Sequence, residues 1–470
     1  MNCGFYYNTE RKSTMKKLCL FFLIMFVFFA LGCGKNELQL EDNNDEVYNY
    51  FTEFNGEYKT IAAGWNHSLA IKEDGSLYVW GNNFSGAVGV GTATSTRVPL
   101  KIMDDIISIA AGGSFSLAVK ADGSLWAWGD NSFGQIGDGT VTTHVWDEIF
   151  SGWTMGDDNN KSRPVNIMDH VVTVAAGYGH SLAIKKDGSL WAWGWNRSGQ
   201  IGDGTTIDKI TPVKIMDNVI SVAAGESHSL ALKADGSLWA WGDNLYGQLG
   251  DGTVTIDSWT DGERKLTEDN NKSTPIEIMN SVSSIASGGW HSLAIKTDGS
   301  LWVWGSNSRG EIGDGTVSSF DDDWNRINND KSKPVEIMQE VIYVAAGRSH
   351  SLAITADNNL LTWGDNEFGQ LGDGTSSIHD YYWQEVETND KSTPIIVIDD
   401  ANVVSVAGGQ HHSLALKSDG SLWAWGNNYS GQLGDGSYTF HLRGFSVYDD
   451  KSTPVKIMND VKLPSSILLR

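Results

Sequence analysis

His180-Ser181-Leu182-Ala183-Ile184-Lys185-Lys186-Asp187-Gly188-Ser189-Leu190-Trp191-Ala192-Trp193-Gly194 holds two short apolar runs on either side of an Asp-Gly pair. Asp-Gly is favoured in tight hairpins because both residues accept a positive φ. The two runs are therefore expected to be neighbouring antiparallel strands. Along Leu190-Trp191-Ala192-Trp193 the side chains alternate faces, so both Trp share one face, Leu190 and Ala192 share the other, and no polar face is left. Such a strand must be covered twice. A small sheet cannot do that alone, whereas sheets stacked face to face around a ring can.

The same stretch recurs seven times from Tyr58 onward, with its Ser at Ser68, Ser116, Ser181, Ser229, Ser292, Ser351 and Ser413. Each copy carries a β-branched run ending in Ala-Ala-Gly or a close variant, then His-Ser-Leu-Ala, then Trp-Ala-Trp-Gly, then Gly-Gln-Leu-Gly-Asp-Gly-Thr, then a Pro-led run such as Pro212-Val213-Lys214-Ile215. Four short runs bounded by Gly predict a four-stranded meander per copy. The expected fold is all-β, a seven-bladed β-propeller over 58–463, with Trp128, Trp193, Trp241, Trp304 and Trp425 among the rings of its core. The last copy ends in Pro454-Val455-Lys456-Ile457 and then Val461-Lys462-Leu463, so the C-terminal strand is expected to complete the first blade and close the ring. The composition agrees, since 53 Gly and 20 Trp with only 8 Pro describe many short strands, tight turns and a bulky core.

Ala-Ala-Gly, His-Ser-Leu-Ala, Trp-Ala-Trp-Gly and Gly-Gln-Leu-Gly-Asp-Gly-Thr together resemble the repeat of the regulator of chromosome condensation family. The resemblance covers about Tyr58 to Met458 and implies a seven-bladed propeller. The eukaryotic members stimulate nucleotide exchange on a small GTPase and bind chromatin, activities not expected of an exported protein. The chain is also similar to a secreted bacterial propeller that inhibits β-lactamases through one face of its disc, although the repeats of that protein are shorter.

Export is read from the N-terminus. Met15-Lys16-Lys17 precedes an apolar run from Leu18 to Gly32, short for a membrane span and suited to a signal peptide over 15–32. Ala30-Leu31-Gly32-Cys33 resembles a bacterial lipobox, which makes Cys33 the expected lipidation site; an ordinary cleavage site or an uncleaved anchor are the alternatives. Residues 1–14 then form an upstream extension, 33–57 an acidic polar linker and 464–470 a tail. The expected location is the bacterial cell envelope, at the outer membrane or cell surface, with membrane contact through the lipid only. Formal net charge is −24, which disfavours nucleic acid as a partner. Cys3, Cys19 and Cys33 all precede the repeats, which hold no thiol for a disulfide or thiolate metal site.

Six copies place a His before the Ser: His67, His180, His228, His291, His350 and His412, with Phe115 in the second. Copies one blade apart cannot converge on a single metal ion, so these His are expected to satisfy backbone groups at a strand start. The Asp of each Gly-Asp-Gly-Thr is expected to bond its own turn. No catalytic, cofactor or metal residue is assigned, and the protein is not expected to be an enzyme; a polysaccharide hydrolase or lyase and a passive scaffold are the alternative readings.

Exceptions to the repeat are more telling. Ser-to-Ser spacings of 48 mark the first and third copies as minimal, while spacings of 59–65 show added loops in the second, fourth, fifth and sixth, and the seventh has one too. These loops carry Trp146, Trp153, Trp259, Trp324, Tyr381, Tyr382, Trp383, Phe440 and Phe445. Leaving each blade at the same point, they are expected on one face, as an aromatic, acidic surface for a protein or glycan partner bound by a monomer. Their ends, such as Asp157-Asp158-Asn159-Asn160-Lys161, offer oxygens that could hold calcium, with Asx turns as the simpler account.

Overall fold

A computed structural model describes residues 58–464, apart from 148–151, 261–262, 321–325, 380–384, 401, 439, 443–444 and 448. Cys33, Trp324, Tyr381, Tyr382 and Trp383 lie outside the described residues, as do the leader and linker. No described helix is long and apolar enough to cross a membrane.

Seven four-stranded antiparallel sheets follow one another along the chain, numbered here as blades one to seven. Blade three shows the pattern: Val171–Ala176, His180–Lys185, Leu190–Gly194 and Lys209–Met216, in that order. The Asp-Gly hairpin sets the register, with Ser181 opposite Trp193 and Ala183 opposite Trp191. In a meander the first-to-second and third-to-fourth connections emerge at one end of the blade, here called the loop face. Asp-Gly turns and links to the next blade emerge at the other, the turn face.

Each blade covers the one before it. Trp193 packs on Leu117, Leu125, Ala127 and Ile136 of blade two, and Trp80 of blade one packs on Leu414, Leu416 and Leu422 of blade seven. The two Trp of a strand share a face and are not equally buried. The second is fully buried, while the first, such as Trp191, lies nearer the turn face and stays half-buried. Its indole donates to Ser189 Oγ of the Asp-Gly-Ser turn at 3.0 Å, and Lys185 Nζ stands 4.7 Å from its centroid.

The seams between blades are bonded by one repeated device. The carbonyl at the Gln of Gly-Gln-Leu-Gly accepts from the buried Trp Nε1 of the next blade at 2.7–2.9 Å. It also accepts from that blade's Ser Oγ at 2.8–3.0 Å. The following Gly must be Gly: a Cβ at Gly137 would lie 2.6 Å from Trp193 Nε1, at a φ of 87°.

Ring closure differs from the expected form in one respect. Lys451–Met458 is the fourth strand of blade seven itself, with Gly426 opposite Lys451. What crosses into blade one is the chain just beyond it: Val461, fully buried, bridges Lys72, and Lys462 N donates to Ile71 O at 2.9 Å. Val461 thus starts the inner strand that Ile61–Ala63 completes, as Ile106 starts that of blade two opposite Lys120.

Candidate functional site

The six His form a girdle inside the ring. Each Nε2 lies 2.9–3.0 Å from the Ser Oγ of the following blade, from His67 to Ser116 around to His412 and Ser68. Because that Oγ donates to the carbonyl described above, the imidazole Nε2–H is the donor, and burial is what keeps the ring neutral. The partner is a side chain of the next blade rather than the backbone group expected from sequence. Burial pushes the imidazoles down, to about 4 for His67 and His350 and about 3 for His180, His228, His291 and His412.

The Asp of Gly-Asp-Gly-Thr bonds its own turn as expected, Asp138 Oδ1 accepting from Thr140 N and Oγ1. Its other oxygen pairs with the Lys that opens the fourth strand: Asp138–Lys161, Asp203–Lys209, Asp251–Lys272, Asp314–Lys331, Asp373–Lys391 and Asp435–Lys451, at 2.8–3.9 Å. Blade one has Val90 and Thr96 at these two places, losing both partners together.

The inserted loops are β-hairpins, one in each of blades two, four, five, six and seven. All lie within the third-to-fourth connection and so stand on the loop face. Trp146 of His144–Asp147 sits opposite Trp153 of Gly152–Met155 in register. Trp259 lies on Ile256–Thr260, Phe440 on Phe440–Leu442 and Phe445 on Phe445–Val447. The Asp/Asn-rich ends clamp the hairpin bases. Asn160 Oδ1 accepts from Asn131 N at 2.8 Å and Thr142 Oγ1 at 3.0 Å, and Asn159 Nδ2 donates across the base to Val141 O at 3.0 Å. Asn160 N in turn donates to Asp158 Oδ1, an Asx turn. Among the described residues no group of three or more His, Cys, Asp or Glu is placed to hold a metal ion.

Sequence reasoning missed the centre of this face. One position follows the Gly that ends each inner strand, and in blades one to seven it holds Trp65, Gly113, Tyr178, Glu226, Gly289, Arg348 and Gln410. All seven line the loop-face end of the axial opening. The Gly before this position recurs in all seven blades, whereas the position itself does not repeat. The two Gly let their neighbours meet across them: a Cβ at Gly113 would stand 2.6 Å from Tyr178 O, and one at Gly289 2.8 Å from Arg348 O. Over Gly113, Trp65 and Tyr178 bring ring centroids to 4.4 Å, and Trp195 meets Tyr178 edge-on at 5.7 Å. Over Gly289, Arg348 Nε comes within 3.7 Å of Glu226 Oε2, and its guanidinium lies 4.6 Å from the Trp290 centroid and 5.7 Å from that of Trp65. Burial raises the Glu226 carboxyl, opposed by Arg348. Aligning the seven copies on Ala-Ala-Gly and reading the next column would have exposed this set.

Family models match the chain along most of its length: the RCC1-like domain over 28–267, and the regulator of chromosome condensation (RCC1) repeat over 298–354, 357–416 and 419–466. The ultraviolet-B receptor UVR8 of Arabidopsis thaliana is 31% identical over 373 residues, covering 78% of this chain and 63% of the receptor. The mitochondrial RCC1 domain-containing protein RUG3 of the same plant is 34% identical over 33% of this chain and 31% of its own. The chain thus spans less than two thirds of the length of these relatives. Among solved structures, human WBSCR16 superimposes with a TM-score of 0.61 at 22% identity, covering 82% of this chain and 94% of that one. Yeast RCC1 (Prp20), solved bound to Kap60, gives 0.61 at 22%, covering 92% and 90%. Identity at that level speaks for the fold alone, and the family models carry the assignment: this chain belongs to the RCC1-like domain family.

Proposed function

We propose that this chain is an exported binding protein, tethered by lipid at Cys33, that presents the hairpin-bearing face of its propeller to a protein or glycan at the cell surface. The observation that carries the reading is positional. Five hairpins and seven non-repeating mouth residues share one face, whereas the turn face repeats an Asp-Gly or Asp-Asn turn in every blade. Ring packing accounts for residues common to all blades and for none of these. A propeller of the same fold binds proteins: yeast Prp20 was solved with Kap60, and its binding to Gsp1p and histones is described.

The test is capture from cell-envelope fractions by the chain from Glu37 onward, against a variant whose five hairpins are cut to the short blade-three connection at 205–208. The expected result is a partner retained by the full propeller and lost by the trimmed one, with both still folded. Equal capture by both would move the site off this face. Metabolic labelling with a fatty acid, lost in Cys33→Ser, tests the tether separately.

A further inference from the structure

Buried polar groups almost always find partners, so those that do not deserve an explanation. Five side-chain atoms in the loops of this face are buried without a hydrogen bond: Trp195 Nε1, Gln200 Nε2, Glu226 Oε2, Arg348 Nε and His411 Nδ1, the last facing Asp365 Oδ2 at 3.5 Å. Leaving such atoms unmet destabilises the fold.

The cause is visible at Gln200. In blades two, four, six and seven the matching Gln donates from Nε2, at 2.6–2.8 Å, to the residue just after Trp-Gly: Asp130, Asp243, Asp365 or Asn427. Blade five inverts the pair, with Ser306 donating to Glu311. In blade three the acceptor position holds Trp195, so Gln200 aims its amide at a residue that cannot accept. Trp195 is tied to the mouth by its contact with Tyr178, and Tyr178 continues to Trp65, Arg348 and Glu226. One connected patch therefore joins half-buried aromatic rings, two unmet donors and the Arg348–Glu226 ion pair. Arg348 Nε and Glu226 Oε2, at 3.7 Å, form an ion pair longer than a direct hydrogen bond.

We propose that this patch, from Trp195 through Tyr178 and Trp65 to Arg348 and Glu226, is a saccharide-binding site. The inference rests on the binding-face reading and names the ligand class. A hydroxyl both donates and accepts. Two neighbouring hydroxyls of a pyranose can therefore answer Arg348 and Glu226 together, while the apolar C–H face of the ring packs on an indole or phenol.

The experiment titrates the full-length protein with galactose, mannose, N-acetylglucosamine and glucuronic acid, following tryptophan fluorescence and calorimetric heat. Glu226→Gln keeps the shape and exchanges an oxygen acceptor for a donor. Trp65→Ala removes a stacking ring, with thermal unfolding as the fold control. At least one sugar should bind the wild type and bind both variants about tenfold or more weakly, the scale of one charged hydrogen bond or one stacking contact. Absence of binding by all four, or equal binding by wild type and Glu226→Gln, overturns the site. If hairpin-dependent partner capture persists under either of those outcomes, the saccharide assignment falls and the binding-face reading stands.

Discussion

The His girdle makes stability depend on pH in a way that one substitution can isolate. His291 is buried and neutral, its Nε2–H given to Ser351 Oγ, and burial pushes its imidazole from 6.5 to about 3. A folded value below the unfolded one means that the stabilisation is complete above pH 6.5 and is lost as pH falls toward the folded value. At pH 5 the unfolded chain holds nearly a full proton on this ring and the folded chain almost none. One such group costs about 2 kcal/mol at pH 5, with a slope of about 1.4 kcal/mol per pH unit per proton. Six rings together approach ~11 kcal/mol, comparable to the whole stability of a typical domain.

Blade two shows how to remove one ring without opening the core, since Phe115 fills the same place, fully buried against Gly112 as His291 is against Gly288. His291→Phe loses one neutral hydrogen bond, worth about 1 kcal/mol, at every pH, and gains about 2 kcal/mol at pH 5 by shedding the proton penalty. The variant should therefore be less stable than wild type at pH 8 and more stable at pH 5, with a crossing near pH 6. Urea unfolding across pH 5–8 gives both curves, and proton uptake on unfolding at pH 5 should fall by about one. Parallel curves with unchanged proton uptake would refute the buried, neutral assignment.

Glu311 carries the opposite sign, because burial raises its carboxyl to about 7 and its stabilisation is lost as pH rises through that value. Glu311→Gln should add about 2–3 kcal/mol at pH 8 and less than 1 at pH 5, read from the same denaturation series. Ending the chain after Met458 removes buried Val461 and the bonds of Asp460, Val461 and Lys462 to blades seven and one; about 3–5 kcal/mol should go, and an unchanged urea midpoint would show that the ring closes without them. Gly313→Ala drives a Cβ to 2.8 Å from Trp363 Nε1 at a φ of 85° and should cost about 3 kcal/mol in thermal unfolding, against about 1 kcal/mol for Gly315→Ala, which shares the positive φ, at 84°, but whose nearest neighbour is Thr393 Cγ2 at 3.8 Å.

Blade number, strand order and the Asp-Gly hairpin were legible because each is local: a 15-residue stretch contains both strands and their turn. What crossed between blades was not. His67 and Ser116 are 49 residues apart, and His412 and Ser68 are 344 apart, so no window of sequence pairs them. The unequal burial of Trp191 and Trp193 follows from height along the strand, which alternation cannot report. The inserted loops were visible as excess length, and their hairpin form was not, since Asn159 and Asn160 look like ligand oxygens until their partners Val141 and Thr142 are seen. The mouth residues were overlooked because they are single substitutions, hidden among long and conspicuous insertions.

A physical rule separates the positions that vary from those that do not. A group whose bond crosses a seam is constrained by two blades at once, so the buried Trp, the Ser and the Gly beside the indole recur in all seven. A group whose bond closes within its own loop can be exchanged with its partner: Asp365 and Gln370 in blade six become Ser306 and Glu311 in blade five. Even the Gln that serves a seam does so through its carbonyl, which is why Ala87 can replace it and still hold Trp128 at 2.7 Å. The column from Trp65 to Gln410 lies outside both constraints, for its side chains take no part in the seam bonds and face the axial mouth. Apart from Gly113 and Gly289, where a Cβ would meet a neighbouring carbonyl, it can therefore change without touching the seam bonds, and the Trp195 exchange, which leaves Gln200 unmet, carries that freedom into a neighbouring loop pair.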